Sequence, residues 1–174
     1  MKPLTVGLTS LMLPSNSAYL PDHEKYMRIA IEQAIIGSDK GEVPVGAVIV
    51  LDGEIIATGH NQPISTNDPT AHAEIIALRN ASEILNNYRL PGAKLYVTLE
   101  PCTMCIGAIF NARISQVVYG ASEFKTGAAG GVIDLFSNPK INHHAEVVGG
   151  ILSEECSTVL KEFFIKRRLE KSRS

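Results

Sequence analysis

The alternation of helical and strand patterns along the chain is the feature that most constrains its fold. Residues 26–34 place apolar side chains at helical spacing, whereas residues 43–51 and 55–58 are Val- and Ile-rich runs typical of strands. Asp52-Gly53 lies between these two runs and is a strong signal for a two-residue hairpin turn. The first third of the chain therefore predicts a helix followed by a β-hairpin.

The rest of the chain continues this alternation. Further helices are predicted at about 71–85 and 102–111, and a last helix is predicted with Ser153 as its N-cap. Strands are predicted at 94–99, 116–119 and 146–148, and loops at 61–70 and 122–131. The order is helix, hairpin, helix, strand, helix, strand, strand, helix. It predicts a three-layer α/β/α domain, in which helices cover both faces of one mixed five-stranded sheet.

Composition limits the chain to a single ordinary domain. Its 174 residues are 45% hydrophobic and 20% charged, values typical of a soluble globular protein with one core. No run approaches the roughly 20 apolar residues of a membrane span. Residues 1–20 are broken by Pro and Ser and lack the apolar core of a signal peptide, so we expect a mobile N-terminal extension. Residues 21–174 are predicted to form one domain of a cytoplasmic protein.

Two short motifs place chemically reactive side chains at the starts of predicted helices. His72-Ala73-Glu74 opens one helix, and Pro101-Cys102-Thr103-Met104-Cys105 opens another. The cysteine spacing puts both sulfurs on one side of a first helical turn, where the helix dipole favours thiolates. Two thiolates and one neutral imidazole balance a divalent metal and leave a fourth tetrahedral position open, as in catalytic zinc. Glu74, two residues from His72, is placed to accept and return a proton.

In this order the two motifs fit H-x-E…P-C-x-x-C, the signature of zinc nucleobase deaminases. Two other interpretations of the cysteines stay open. They could form a redox pair, although no thioredoxin-like pattern accompanies them, or a structural zinc site with His72 and a fourth ligand, which would leave Glu74 without a role. Cys156 lies on the apolar stripe of the last helix and is predicted to be an inert buried thiol. The His143-His144 pair is typical of a surface loop.

Further segments carry a family resemblance: residues 42–48, 68–74, 88–90, 95–102, 125–130, 142–143, 149–156 and 163–168. Over roughly residues 22–168 the chain resembles the bacterial tRNA-specific adenosine deaminases of the cytidine deaminase-like superfamily. The resemblance implies that adenosine is converted to inosine at the wobble position of a tRNA anticodon, chiefly in an arginine tRNA. It also implies a homodimer in which both subunits contact the anticodon stem-loop.

The resemblance assigns roles residue by residue: His72, Cys102 and Cys105 hold Zn²⁺, Glu74 shuttles protons, and Asn61, Ala73 and Lys125 bind the substrate. Asn61 also fits the simpler role of a turn residue after a strand. Lys125 begins a Gly-rich stretch that allows close approach to RNA but is equally typical of a flexible surface loop. Just before it, this chain has Ser122 and Glu123 where many relatives carry a basic residue and Asp.

Charge is distributed unevenly along the chain. The net charge is −2, but residues 161–174 carry six Lys or Arg and two Glu, which leaves the other 160 residues at −6. A basic end on an acidic body predicts contact with RNA phosphates, for which Arg167 and Arg168 are the candidates. The alternative is a solvated helix end whose basic side chains complement the helix dipole.

Two rival functions stay open at this point. One is a deaminase of free bases or nucleotides of the guanine or cytosine type, which would have nearly the same zinc signature but no need for a basic tail. The other is an RNA-binding protein with a structural zinc, for which Glu74 would be dispensable.

Overall fold

The computed structural model describes residues 20–173. Strands and helices alternate over these residues in the order α1 (Leu20–Asp39), β1 (Gly46–Leu51), β2 (Glu54–His60), α2 (Pro63–Thr66), α3 (Ala73–Ile84), β3 (Lys94–Leu99), α4 (Thr103–Asn111), β4 (Gln116–Ala121), β5 (Glu146–Val148) and α5 (Ser153–Lys171). Within that range, none of the helices is long and apolar enough to cross a membrane.

The strands form one mixed five-stranded sheet in the order β2-β1-β3-β4-β5. β1 pairs antiparallel with both β2 and β3, whereas β3, β4 and β5 run parallel. The hairpin joining β1 to β2 turns at Asp52 and Gly53, which both have positive φ angles, 51° and 81°. Those angles fit a turn whose twist matches that of the paired strands, as the Asp-Gly pair predicts.

Alternate residues of the central strands serve two separate cores. Ala47 and Ile49 of β1 pack with α3 on one face, whereas Val48 and Val50 pack with α1 and α5 on the other. A strand buried on both faces shows a continuous apolar run, which explains the Val- and Ile-rich pattern of β1. The predicted three-layer α/β/α architecture is therefore confirmed.

Several elements begin or end within three residues of the predicted bounds, and the structure differs further from the predictions in two places. The loop predicted at 61–70 contains a short helix, α2, which begins with Pro63. The prediction that Ser153 caps the last helix is wrong: Leu152 occupies the N-cap position, with a positive φ of 51°, and Ser153 is the first helical residue. On α5, Phe163 is buried, whereas the next residue, Phe164, is 46% exposed. The extension predicted at residues 1–20 lies outside the described residues, except that Leu20 begins α1.

Candidate active site

The candidate site lies at the edge of the sheet where the parallel strands β3 and β4 end. β1 runs antiparallel to β3 and to β2, so the start of β1 and the end of β2 reach the same edge. Four connecting segments meet there: residues 42–45, 61–72, 100–102 and 122–131. Ligands of open α/β sheets generally bind outside the carboxyl ends of the strands, so the topology alone favours a site here.

Two helix starts bring three metal-ligand side chains together. His72 is the N-cap residue of α3 and Cys102 that of α4, both in extended backbone conformation, and Cys105 is buried in the first turn of α4. Nδ1 of His72 lies 3.7 Å from Sγ of Cys102 and 3.6 Å from Sγ of Cys105. The sequence-predicted ligands therefore lie in one place, although 30 residues separate His72 from Cys102.

The geometry of this group fits a tetrahedral zinc ion. A Zn–S bond of about 2.3 Å and a Zn–N bond of about 2.1 Å place a sulfur and a nitrogen ligand about 3.6 Å apart, close to both distances here. The ligand atoms of His72, Cys102 and Cys105 all lie within 4.8 Å of one another, and over residues 20–173 no other His, Cys, Asp or Glu joins the group. A metal held by these three residues would keep one position free, unlike a closed structural site.

Hydrogen bonds within the group separate the acidities of the two thiols. The bond from Cys105, helped by His72, lowers the pKa of Cys102 to about 4 despite its burial. The same bond, together with burial, raises the pKa of Cys105. Contact with Cys102 also raises the pKa of His72, against the effect of burial. Cys102 is thus the more acidic of the two thiols, and a bound divalent metal would favour the thiolate form of both.

Glu74 lies beside the three ligands but is not one of them. It occupies the first turn of α3 and is 3% exposed. Burial raises the pKa of its carboxyl group, because the charged form is poorly solvated there. A carboxyl group with a raised pKa next to a possible metal site is suited to carry a proton at neutral pH.

A cavity of about 270 Å³ opens in front of these residues. Its lining includes His72, Glu74 and Cys102, together with Asn61, Pro63 and Ile64. This volume lies just below the range typical of sites for drug-sized ligands, so it suits one small ring system.

Asn61, at the wall of the cavity, bonds through both ends of its side-chain amide. Its Nδ2 donates to the carbonyl oxygen of Val43 at 3.0 Å, and its Oδ1 accepts from the N–H of Ala73 at 2.9 Å. Asn61 thus joins the end of β2 to the start of α3, and one N–H and one lone pair of the amide remain for a ligand. Ala73 is fully buried, and its N–H is already paired with Asn61.

A larger groove, of about 1160 Å³, adjoins this cavity and shares Val43 and Leu99 with it. Lys125 lines the groove on the loop after β4, and Arg167 and Arg168 line it on the exposed end of α5. Lys125 also borders a smaller opening together with His72 and Cys102. The fold therefore places the three predicted basic residues on one surface that leads to the cavity.

Sequence reasoning did not predict the buried carboxylates of Glu42 and Glu100 in the wall of the cavity, 1% and 3% exposed. Each occurs next to an apolar run with Pro close behind it, in Glu42-Val43-Pro44 and Leu99-Glu100-Pro101, and this context could have marked both as buried. His143 lies away from the metal-ligand group and pairs with the carbonyl oxygen of Ile114 through Nε2, at 2.7 Å.

A mixed five-stranded sheet with His-x-Glu and Pro-Cys-x-x-Cys at its edge defines a nucleobase deaminase of the cytidine deaminase-like class. The family model of the MafB19-like deaminases matches residues 21–168. A tRNA-specific adenosine deaminase of Haemophilus influenzae is 56% identical over 149 residues, which cover 85% of this chain and 86% of that protein. The chain belongs to the family of tRNA-specific adenosine deaminases.

Two solved structures resemble this fold at substantial sequence identity. One, from studies of A-to-I editing by tRNA:A34 deaminases at the wobble position of transfer RNA, has a TM-score of 0.76 and 46% identity, covering 78% of this chain and 99% of that chain. The other, a guanine deaminase of Bacillus subtilis, has a TM-score of 0.56 and 38% identity, covering 80% and 92% of the two chains. The fold and site thus serve relatives with different substrates.

Proposed function

We propose that this protein hydrolyses adenosine to inosine at the wobble position of a tRNA anticodon, chiefly in an arginine tRNA. The observation that carries the proposal is a buried glutamate beside a His-Cys-Cys group, in a small cavity that adjoins a basic groove. The identity to the tRNA-specific adenosine deaminase of Haemophilus influenzae supports the choice of substrate. An anticodon loop is single-stranded, so its bases can leave the stack and enter the cavity.

The metal in this proposal is zinc, held by His72, Cys102 and Cys105. Two sulfur ligands and one nitrogen ligand suit zinc, and the S···N distances of 3.6 and 3.7 Å support that choice. When bound, zinc supplies a Lewis acid that makes water acidic enough to react near neutral pH.

Glu74 is the proton carrier. It accepts a proton from the attacking water and delivers it to N1 of the purine. It then takes the proton of the new hydroxyl group on C6 and passes it to the departing amine. The oxygen of water bonds to C6, the bond from C6 to the exocyclic nitrogen breaks, and ammonia leaves. Burial excludes bulk water from the carboxyl group, so the proton it receives is kept for the substrate.

Substrate recognition is assigned to the residues around the cavity. Asn61 contacts the flipped base with the amide N–H and lone pair that its backbone partners leave free. Ala73 bounds the base pocket and holds Asn61 in place through its N–H, and Lys125 contacts nucleotides next to the target.

The basic groove receives the anticodon stem-loop. Arg167 and Arg168 contact phosphates of the stem, because both lie exposed along a groove that leads towards the cavity. By resemblance to the family, the working unit is a homodimer in which each subunit contributes to RNA binding, and the enzyme acts in the cytoplasm. Residues 21–174 form the catalytic domain.

A substrate comparison tests this function against its rival. The guanine deaminase of Bacillus subtilis is similar enough that free guanine must be tested beside the RNA. Purified protein is incubated separately with an arginine-tRNA anticodon stem-loop, adenosine, guanine and cytidine, and inosine or ammonia is quantified. We expect inosine at the wobble position of the RNA, and turnover of guanine or cytidine without turnover of the RNA would refute the proposal.

A further inference from the structure

Glu100 is a buried carboxylate in an unusual setting. It follows β3 and directly precedes Pro101 and Cys102, it is 3% exposed, and it lines the cavity. In the part of the chain that the structure describes, no Lys, Arg or His lies within ion-pair distance of it. A buried carboxylate without a cationic partner requires hydrogen bonds to both oxygens.

One loop supplies those hydrogen bonds. Oε2 of Glu100 accepts from the backbone N–H of Glu123 at 2.9 Å, and Oε1 accepts from the N–H groups of Ala129 at 2.9 Å and Gly131 at 2.8 Å. All three donors belong to residues 122–131, which we call the rim loop. The carboxylate thus accepts hydrogen bonds from residues near both ends of the rim loop.

The packing around the carboxylate is close. A Cβ atom at Gly131 would lie 2.7 Å from Oε2 of Glu100 and still closer to the carbonyl oxygen of Glu123, in both cases nearer than real side chains approach. The N–H of Ala128 also donates to the carbonyl oxygen of Pro101 at 2.9 Å. The rim loop is therefore attached directly to the segment that carries Cys102.

The rim loop carries residues that face the site. Lys125 and Thr126 border an opening together with His72 and Cys102, and Lys125 also lines the basic groove. Both residues lie in the chain between Glu123 and Ala129, whose N–H groups Glu100 holds, and Thr126 also lines the cavity. The position of the carboxylate therefore sets the position of Lys125 and Thr126.

We propose that Glu100 is a positioning residue for RNA recognition, which holds the rim loop so that Lys125 and Thr126 face the nucleotides beside the target base. This inference rests on the proposed function, because it concerns how the RNA meets the site. Glu100 acts through the rim loop and has no role in proton transfer.

Glu42 provides a matched control. It is an equally buried carboxylate in the wall of the same cavity, but it accepts from the N–H groups of Ile64 at 3.2 Å and Ser65 at 2.7 Å, which belong to α2 and not to the rim loop. Glu42→Gln and Glu100→Gln therefore make the same chemical change at carboxylates that hold two different segments of the cavity wall.

The first measurement is amide hydrogen exchange of the zinc-loaded protein. In Glu100→Gln we expect exchange at Glu123, Ala129 and Gly131 to accelerate by about tenfold or more, because an amide group replaces the shared acceptor. Residues 61–68 should keep their wild-type rates. Glu42→Gln should show the reverse pattern, and unchanged exchange in the rim loop of Glu100→Gln would overturn the proposal.

The second measurement separates positioning from a general structural role. With zinc content matched to wild type, Glu100→Gln should raise KM for the anticodon stem-loop about tenfold and lower kcat much less. A merely structural defect would reduce the active fraction, and hence kcat, while leaving KM unchanged, and that result would refute the proposal.

If Glu100→Gln fails to fold, Gly131→Ala tests the same contact from the other side. Its added methyl group would meet both the carbonyl oxygen of Glu123 and Oε2 of Glu100, so the rim loop must shift although Glu100 is intact. KM should then rise in the same way, and an unchanged KM would contradict the proposal. Failure of the proposed function would look different, since wild-type protein would then make no inosine whatever the exchange rates.

Discussion

At the scale of single residues, the proposed chemistry depends on three side chains from two helix starts. His72 and Cys102 are both N-cap residues, so their backbone geometry points them out of their helices and towards each other. The Cys-x-x-Cys spacing adds Cys105 from the first turn of α4. Over residues 20–173 no fourth His, Cys, Asp or Glu joins them, so a metal bound to these three residues would keep one coordination position free for a reactant.

Replacing one ligand should remove both metal and activity. We expect Cys105→Ser to bind far less than one zinc per chain and to deaminate more than about 100-fold more slowly, because a hydroxyl group is a poor zinc ligand. Zinc stoichiometry measured on dialysed protein checks this. The control is Cys156→Ala, since Cys156 is buried away from the site and its pKa is raised by burial to about 11. Equal zinc content in all three proteins would contradict the ligand assignment.

At this scale the sequence predicted some contacts and not others. The His72, Cys102 and Cys105 group was predictable because helix periodicity fixes the Cys-x-x-Cys geometry and the chemistry of thiolates and imidazole restricts the metal. The contacts of Glu42 and Glu100 were not predictable, since their partners are backbone N–H groups 22 to 31 residues away. Backbone donors are present at almost every position, so no residue type reveals which ones a buried carboxylate will find.

Packing between elements depends on close approach at a few positions. α5 lies against β4 where Gly120 faces Cys156, and a Cβ at Gly120 would come within 2.8 Å of the carbonyl oxygen of Thr98 as well as meeting the Cys156 sulfur. Gly107 on α4 is different, because a Cβ there would meet nothing within 4 Å. A side chain therefore does not fit at Gly120 without a shift of its neighbours, whereas it fits freely at Gly107.

Alanine substitutions should separate these two roles. We expect Gly120→Ala to lower the free energy of unfolding by about 1–3 kcal/mol through overpacking. Gly107→Ala should raise it by up to about 1 kcal/mol, because alanine is the better helix former. Denaturant unfolding of both variants provides the test, and a Gly120→Ala protein as stable as wild type would show that α5 can move aside freely.

The contact between α1 and the sheet should depend on pH. His23 is buried with Nδ1 3.0 Å from the hydroxyl group of Tyr96, and burial, with Lys94 nearby, lowers its pKa. The unfolded chain therefore binds more protons than the folded one as pH falls below the ordinary value of about 6.5. The stability contributed by neutral His23 is complete above that pH and is lost progressively below it.

We expect the Tm of wild type to fall between pH 7.5 and 5.5 by more than that of His23→Gln. Part of the dependence should remain in the variant, because burial and Lys40 also lower the pKa of His60. Differential scanning calorimetry across this range decides the matter, and parallel Tm curves would show that His23 does not contribute.

Individual elements were predictable to differing degrees. β3 and β5 have the predicted bounds, since turn residues and short apolar runs delimit them clearly. α2 was not predictable, because a four-residue helix is too short to show periodicity. It is held instead by a distant residue, since the backbone N–H groups of Ile64 and Ser65 donate to the carboxylate of Glu42. The N-cap of α5 is Leu152 and not Ser153, because the backbone of Leu152 has a left-handed conformation just before the helix begins. Sequence patterns do not reveal that conformation.

On the scale of the whole molecule, residues 1–160 have a net negative charge, whereas the groove described above is lined by several basic side chains. Arg167 and Arg168 line it near the end of α5, together with Lys161 and Lys171. The alternation of elements predicted the layers and the number of strands, but the groove depends on where α5 ends relative to the loop after β4. That relation is a property of tertiary packing, so the sequence indicated only a basic tail.

Removing two groove charges should weaken RNA binding and its salt dependence. For Arg167→Ala with Arg168→Ala, we expect the slope of log affinity against log salt to flatten by about 1 to 2, as two fewer phosphates are neutralised. Fluorescence anisotropy with the anticodon stem-loop measures this. Lys25→Ala with Arg89→Ala removes two charges outside the groove and should keep the wild-type slope. Identical slopes in both double variants would argue against a phosphate role for the groove.

The most direct test of the whole account is single-turnover inosine formation at the wobble adenosine, by wild type and Glu74→Gln at equal zinc content. Glutamine has nearly the same shape as glutamate but cannot carry the proton. The account predicts that Glu74→Gln keeps zinc and RNA binding while the rate falls about 100- to 10,000-fold, the usual contribution of a general acid–base group. Inosine formation by Glu74→Gln at a near wild-type rate would contradict it.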